Sequence, residues 1–493
     1  MLAHKYVMKM GSNVFASLVS FISLMVMTRY VSDQYGVMMW AWAFVAVFNA
    51  VTDMGFNLTN VKFVSEGRDP DRCFSTFLTI KIVMGAGMAA LSLLSAYVSY
   101  VLTHSMDDEA FLVVLVFVVY YLVWDLQTSM TYTFDGKGEN GKSSLILMIE
   151  FLARAVTLTI LAFMQVSAPV LALGYVVGIA ASSVSCVLIF RHSHLRLCRP
   201  DYLRDYLAFT APIAVSLLLV TAVEYLDKVI IGFSFDGREV GYYTASAGVI
   251  WTFSNLGKSL NTVILPKLSE YRGSESGRAE MQGMIWKTER YLALLIFPVM
   301  VVMLIFGREI AVVLFGAGYE RSGDVMSVQC MVLYSVVINA LMTQVLYSTN
   351  NAKVYGRCSA MYIVVVLAGF LVFIPTYACG LGAVGAGLAM SVGYLFQAIM
   401  LVLSVRRYAG ISFYGRLWRH LAVAAIDAVV LLAIDHYLGI SGFIPLVAVS
   451  LFCLAIHFGL SALFREFTRS DAAFFKDALD PKKLSSSMRE EMR

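Results

Sequence analysis

The chain has 493 residues, 59% of them hydrophobic and 14% charged, with a formal net charge of +4. A water-facing surface cannot be built from that composition, which excludes a set of soluble domains and predicts an integral membrane protein. Seven cysteines stand singly, without the paired spacing of a metal site or the density of a disulfide framework, so they read as small buried hydrophobes and no cofactor is expected.

Apolar stretches long enough to cross about 30 Å of hydrocarbon recur from one end to the other. They predict an all-α, polytopic protein of about fourteen spans, near 10–31, 37–59, 76–103, 110–132, 144–165, 168–190, 206–233, 240–266, 291–315, 325–349, 358–378, 381–404, 419–438 and 442–464. The first apolar run, Gly11 to Tyr30, is too long for a cleavable signal and lacks a small-residue cleavage site, so it stays as a span. An even count puts both termini on one side. The basic residues choose that side, because short loops rich in Lys and Arg stay in the cytoplasm. Lys62, Arg68, Arg72, Lys137, Lys142, the Arg191–Arg204 group, Lys353, Arg357, Arg406, Arg407 and the basic tail all fall with the N-terminus, whereas the opposite loops hold Arg29, Arg238, Arg308 and Arg321. A multi-pass protein of the cell (plasma or inner) membrane with both termini cytoplasmic is therefore expected. No loop has room for the large outer domain of many membrane glycosyltransferases and polymerases, so the protein is not expected to be an enzyme.

The chain also repeats itself. Tyr35-Gly36 opening the second span returns as Val240-Gly241 opening the eighth, and Ser65-Glu66 returns as Ser269-Glu270. Six spans separate each pair, which predicts two six-helix lobes in the same orientation facing one another across a cleft: 1–200 and 201–410, then a helix pair over 411–465 and a basic cytoplasmic tail over 466–493.

A charge at mid-bilayer costs about 2.5–3.5 kcal/mol on insertion scales, so intramembrane charges mark cavities or ion pairs. Asp53 shares a helical face with Asn49, Asn57 and Asn60; Lys258, at the matching place in the second half, shares one with Thr244, Gly248, Trp251, Asn255 and Thr262. These faces either line one cavity, with Lys258 supplying a cation for a phosphate or carboxylate, or hold a structural ion pair. Glu224 and Lys228 stand four apart with Asp227 beside them, fit for a gate, for ion coupling or for simple charge satisfaction. Glu150 and Arg154, with Asp125 at similar depth, suit a structural network. Asp427 and Asp435 lie outside the repeat, and Pro212 offers a bend early in the seventh span. Embedded acids outnumber embedded bases, which by itself leans toward cation or proton binding.

Thr28-Arg29-Tyr30 with Tyr35-Gly36, Asp53-Met54-Gly55, Asp227-Lys228, Val240 to Ala245 and Pro266 to Glu270 resemble the polysaccharide (O-antigen type) flippases of the multidrug/oligosaccharidyl-lipid/polysaccharide (MOP) transporter superfamily over about the first four hundred residues. The resemblance implies translocation of a polyprenyl-diphosphate-linked oligosaccharide to the outer leaflet by alternating access, for surface polysaccharide biosynthesis. It implies cations for the diphosphate at positions such as Arg29, Lys228 and Lys258, with Asn49, Asn57, Asn255 and Trp251 suited to sugars. The partners it implies are the lipid-linked glycan, membrane lipid, polysaccharide-assembly proteins and a coupling H⁺ or Na⁺ near Asp53 or the Glu224–Asp227 pair; nucleic acid is not expected. An ion-coupled multidrug or metabolite antiporter and a peptidoglycan-precursor flippase remain alternatives, ahead of a glycosyltransferase or polymerase.

Overall fold

The computed structural model describes residues 2–191, 195–258, 268 and 277–467, excluding the side chains of 2–14, 212, 213, 216 and 254–258. The side chains of Pro212, Asn255 and Lys258, most of the Lys267–Arg290 connection's first half and the tail beyond 467 therefore lie outside the described residues.

The described chain is α-helical, with no β-strand among the described residues. In order the helices are α1 (Leu2–Tyr30), α2 (Ser32–Asp53), α3 (Phe56–Ser65), α4 (Pro70–Tyr97), α5 (Asp108–Gly136), α6 (Asn140–Phe163), α7 (Ala168–Arg191), α8 (Leu203–Ser234) and α9 (Gly237–Lys258). They continue with α10 (Gly277–Ile305), α11 (Gly307–Phe315), α12 (Glu320–Ser348), α13 (Ala352–Phe373), α14 (Gly382–Tyr408), α15 (Leu417–Leu438) and α16 (Phe443–Leu463). Each predicted span meets a helix. Among the described residues 11 helical segments are long and apolar enough to cross a membrane, and α8 and α9, which carry Glu224, Asp227, Lys228 and Lys258, are not among them.

Two predicted spans are broken. The second, Ser32–Ser65, divides at Met54 and Gly55, both with positive φ (37° and 97°). The first of these is a non-glycine residue in a sparsely populated region, which costs about 1–3 kcal/mol and persists only where surrounding packing enforces it. The ninth span divides at Phe306, between α10 and α11. Helix starts follow local chemistry: Asp69 caps α4 by accepting from the Asp71 amide at 3.0 Å ahead of Pro70, and Asp107 caps α5 by accepting from Ala110 at 2.8 Å. Where the chain turns outside the spans, Glu139 pairs with Lys142 at 2.8 Å and with Lys137 at 3.3 Å.

The chain divides into two compact units, residues 1–244 and 245–493. In the first, α6 lies between α1 and α7, α5 packs against α7, α4 and α2, and α8 packs along α2. In the second, α14 packs between α12 and α13, α10 runs beside α12, and α15 and α16 pack on each other and on α10.

Within the first unit, α2 and the start of α9 meet at glycines: a Cβ on Gly36 would fall on the Gly237 carbonyl oxygen, and one on Gly237 would come 2.8 Å from a Val37 methyl. The contact is backbone on backbone, the close approach that small residues allow between membrane helices. Gly36→Val is therefore expected to cost about 1–3 kcal/mol or more of stability, read as a lower unfolding temperature of the purified protein in detergent, while the same change at Gly87, where a Cβ meets nothing within 4 Å, leaves it unchanged.

Candidate functional site

The break after Asp53 organises the polar interior of the first unit. At the end of α2 a carboxylate would face the negative end of the helix, but the turn swings α3 round so that Asp53 Oδ1 accepts from the Asn57 amide at 3.4 Å, at the positive start of the next helix. Asp53 is half-buried and Asn49 and Asn57 are buried. One turn of α2 carries the chemistry across to α5: Thr52 Oγ1 lies 2.9 Å from the Asn49 carbonyl oxygen and 2.9 Å from Asp125 Oδ1, so its single proton serves one of these acceptors at a time.

Asp125 is the deepest acid of this group. Its Oδ1 also accepts from Lys81 Nζ at 3.2 Å, with the two side chains 1% and 0% exposed, whereas Oδ2 has no hydrogen-bond partner among the described residues. Two carboxylates, Asp53 and Asp125, act electrostatically on one another across this site with one ammonium between them. The group therefore carries an excess negative charge and can hold a proton or a small cation. Below it, the cluster continues through neutral donors and acceptors. Asn60 donates to Thr133 Oγ1 at 3.0 Å and accepts from Tyr206 at 2.8 Å, and Thr59 meets Thr210 at 3.0 Å, tying α3 to α5 and α8.

The pairing of Asp125 with Lys81 was not visible in spacing, since 44 residues separate them. Glu150 and Arg154 instead make their own i,i+4 pair at 3.5 Å, with Tyr120 donating to Glu150 at 3.3 Å and the Arg154 guanidinium 4.8 Å from the Tyr175 ring centre. On α8, Lys228 Nζ bonds Asp227 Oδ1 at 2.9 Å and the Glu224 main-chain oxygen at 3.1 Å, while Tyr243 donates to Asp227 Oδ2 at 2.6 Å. Asp227 is thus buried and doubly satisfied, and Glu224 is exposed on the same helix. Arg29 is exposed in the last turn of α1.

In the second unit Trp251 is half-buried and meets Tyr394 edge-on at 6.1 Å, and Tyr394 in turn lies 5.1 Å from Tyr362. Beside this aromatic group Ser246 donates to Gln329 at 2.9 Å and Asn339 donates to Gln397 at 3.0 Å. The amides here are buried and bonded to their neighbours, while the rings of Trp251, Tyr362 and Tyr394 are half-buried.

Broken helices, buried ion pairs and neutral polar seams inside a bundle of spanning helices define a multi-pass membrane protein. The chain belongs to the polysaccharide biosynthesis protein family, whose model matches residues 26–324, more than half of its length. Among solved structures the chain is similar in fold to the Lipid II flippase MurJ in an inward closed conformation, at TM-score 0.73 and 12% identity over 93% of this chain and 98% of that one. It is also similar to an inward-facing multidrug resistance MATE family transporter of the MOP superfamily, at TM-score 0.56 and 13% identity over 82% and 95%. No curated protein matches it in sequence. The all-α polytopic fold and a polysaccharide family, both expected from the sequence, are thus found.

Removing one member of the Lys81–Asp125 pair strands a buried charge. Lys81→Met is expected to destabilise the protein by about 3–5 kcal/mol, and Lys81→Met combined with Asp125→Leu to recover most of that loss, as measured by thermal unfolding of the three proteins in the same detergent.

Proposed function

We propose that the protein is a flippase that moves a polyprenyl-diphosphate-linked oligosaccharide from the cytoplasmic to the outer leaflet by alternating access, supplying surface polysaccharide assembly without itself catalysing a reaction. The observation that carries the reading is a conjunction: a polysaccharide biosynthesis family membership on a fold shared with a protein named as a lipid flippase. A polysaccharide precursor made on a membrane lipid needs a carrier for a large polar headgroup, and the half-buried rings of Trp251 and Tyr394 suit stacking on its sugars.

In this reading Lys258 anchors the diphosphate, Arg29 is a second cation for it, and Asn49, Asn57, Asn255 and Trp251 hold sugars. Lys228 is neutralised by Asp227, which suits a gate with Glu224 better than a phosphate site. The excess negative charge at Asp53 and Asp125 is where a coupling H⁺ or Na⁺ is taken. The repeat halves, 1–200 and 201–410, are the moving lobes, with the 411–465 pair as an appendage and the basic tail on the cytoplasmic side of the cell membrane.

Translocation of a fluorescent polyprenyl-diphosphate sugar in proteoliposomes tests this. Lys258→Ala is expected to slow transport at least about tenfold, a loss of about 1.4 kcal/mol or more in transition-state stabilisation, with partial rescue by Lys258→Arg. Full-rate transport by Lys258→Ala removes the anchoring role. No transport by the wild type, together with proton-driven efflux of a small cation, replaces the flippase with an antiporter.

A further inference from the structure

The helix pair outside the repeat holds a second buried polar group that the flippase reading does not use. The buried residues of α15 are His420, Val423, Asp427 and Leu431, and those of α16 are Leu446, Val449, Cys453, His457 and Ser461. Each set is a single stripe at steps of three and four, and the two stripes, packed on each other and on α10, change character together halfway along. Toward the Leu417 and Leu463 ends they carry the polar residues; toward the other end Leu431, Leu446, Val449 and Cys453 join Val301 and Val302 of α10 and Phe306 just after it in a continuous apolar cluster.

At the change lies an ion-pair geometry. His457 Nδ1 is 2.6 Å from Asp427 Oδ2, with the side chains 0% and 1% exposed. Asp427 is ten residues into α15, about 15 Å at 1.5 Å per residue, close to the middle of a bilayer core of about 30 Å. Toward the polar end, His420 Nε2 stands 3.7 Å from Glu466 Oε2, and Glu466 also takes hydrogen bonds from Tyr414 and, at 2.8 Å, from Arg419. From α10, Glu289 accepts from the Tyr414 amide at 2.6 Å, and Arg290 acts electrostatically on His420, as His457 does. Cys453 on α16 lies within electrostatic range of Asp427, and Tyr334 on α12 within that of Glu289. Outside the spans, burial and the bond to Glu466 push the Tyr414 hydroxyl up to about 12, so it remains a donor.

Seven side-chain atoms in this seam have no hydrogen-bond partner among the described residues: both ring nitrogens of His420, His457 Nε2, Asp427 Oδ1, Glu289 Oε1, Tyr334 OH and Ser461 Oγ. Buried polar atoms left unpaired cost about 1–3 kcal/mol each, too much to keep together without something to bond. Acids and bases are close to balanced here, which disfavours an anion, and among the described residues no three His, Cys, Asp or Glu converge as a metal site. The smallest ligand that imidazole nitrogens and carboxylate oxygens can both bind is a proton.

We propose that this seam is a one-ended proton pathway, in which a proton entering past Glu466 and His420 is taken by Nε2 of His457 and stopped there by the apolar cluster. With Nδ1–H already donating to Asp427, uptake makes an imidazolium whose charge the Asp427 carboxylate compensates. No bond other than the new N–H forms, and release returns the proton by the same route. The proposal is independent of what the protein transports.

Solid-state nitrogen NMR of the full chain, labelled at histidine and held in lipid bilayers, tests it. The His457 ring, assigned by its loss in His457→Gln, is expected to pass from neutral to imidazolium as buffer is acidified, and to receive polarisation directly from water. Asp427→Asn is expected to require about tenfold more protons for the same change. A His457 ring that keeps one protonation state from alkaline to acidic buffer overturns the proposal from the wild type alone, as does absence of transfer from water. An unaltered titration in Asp427→Asn overturns the pairing on which it rests.

Discussion

Hydrocarbon offers neither hydrogen bonds nor solvation, so each charge carried into the membrane must find compensation inside the protein. That requirement explains how the interior of this chain is arranged. Lys81 reaches Asp125, Arg154 reaches Glu150, Lys228 reaches Asp227, and His457 reaches Asp427. Two of these pairs lie within one helix, their members about one turn or less apart, and hold regardless of how helices pack. The other two join separate helices and so depend on the bundle being assembled.

The cross-helix pairs also differ in what they leave over. Asp125 spends one oxygen on Thr52 and Lys81 and keeps the other unbonded, beside a second acid at Asp53. Asp53 can sit there because α2 stops at Met54 and Gly55, and a continuous helix would have turned the Asn57 amide away from it. Strain at one residue thus positions a carboxylate at a helix start, beside the Asn57 amide. A transporter needs groups whose charge state or partner can change, and a half-satisfied carboxylate has that freedom where a fully bonded one such as Asp227 does not.

Helices α15 and α16 show the same economy by another route. Residues of one stripe switch from polar to apolar at the same level on α15 and α16, so the polar seam ends where close-packed methyls begin. An appendage needed only for anchoring in lipid would gain nothing from two buried histidines, whose desolvation works against the helix pair that carries them.

Much of this was legible without coordinates. The length and apolarity of the spans specify helices because a membrane leaves the backbone no other way to satisfy itself, and the family motifs and the i,i+4 pair at Glu150 and Arg154 follow from short-range spacing. The breaks at Met54–Gly55 and Phe306 were not legible, since neither carries a proline and a lone glycine such as Gly55 or Gly307 is tolerated inside a membrane helix. Nor were Lys81 with Asp125, or His420 and His457 with Asp427 and Glu466: such pairs are set by which helices become neighbours. Sequence alone determines what each helix must bury, because that is a matter of composition and period along one chain. Which buried charge answers which is decided only in the tertiary structure, because compensation acts through distances of a few ångströms between residues that the chain keeps far apart.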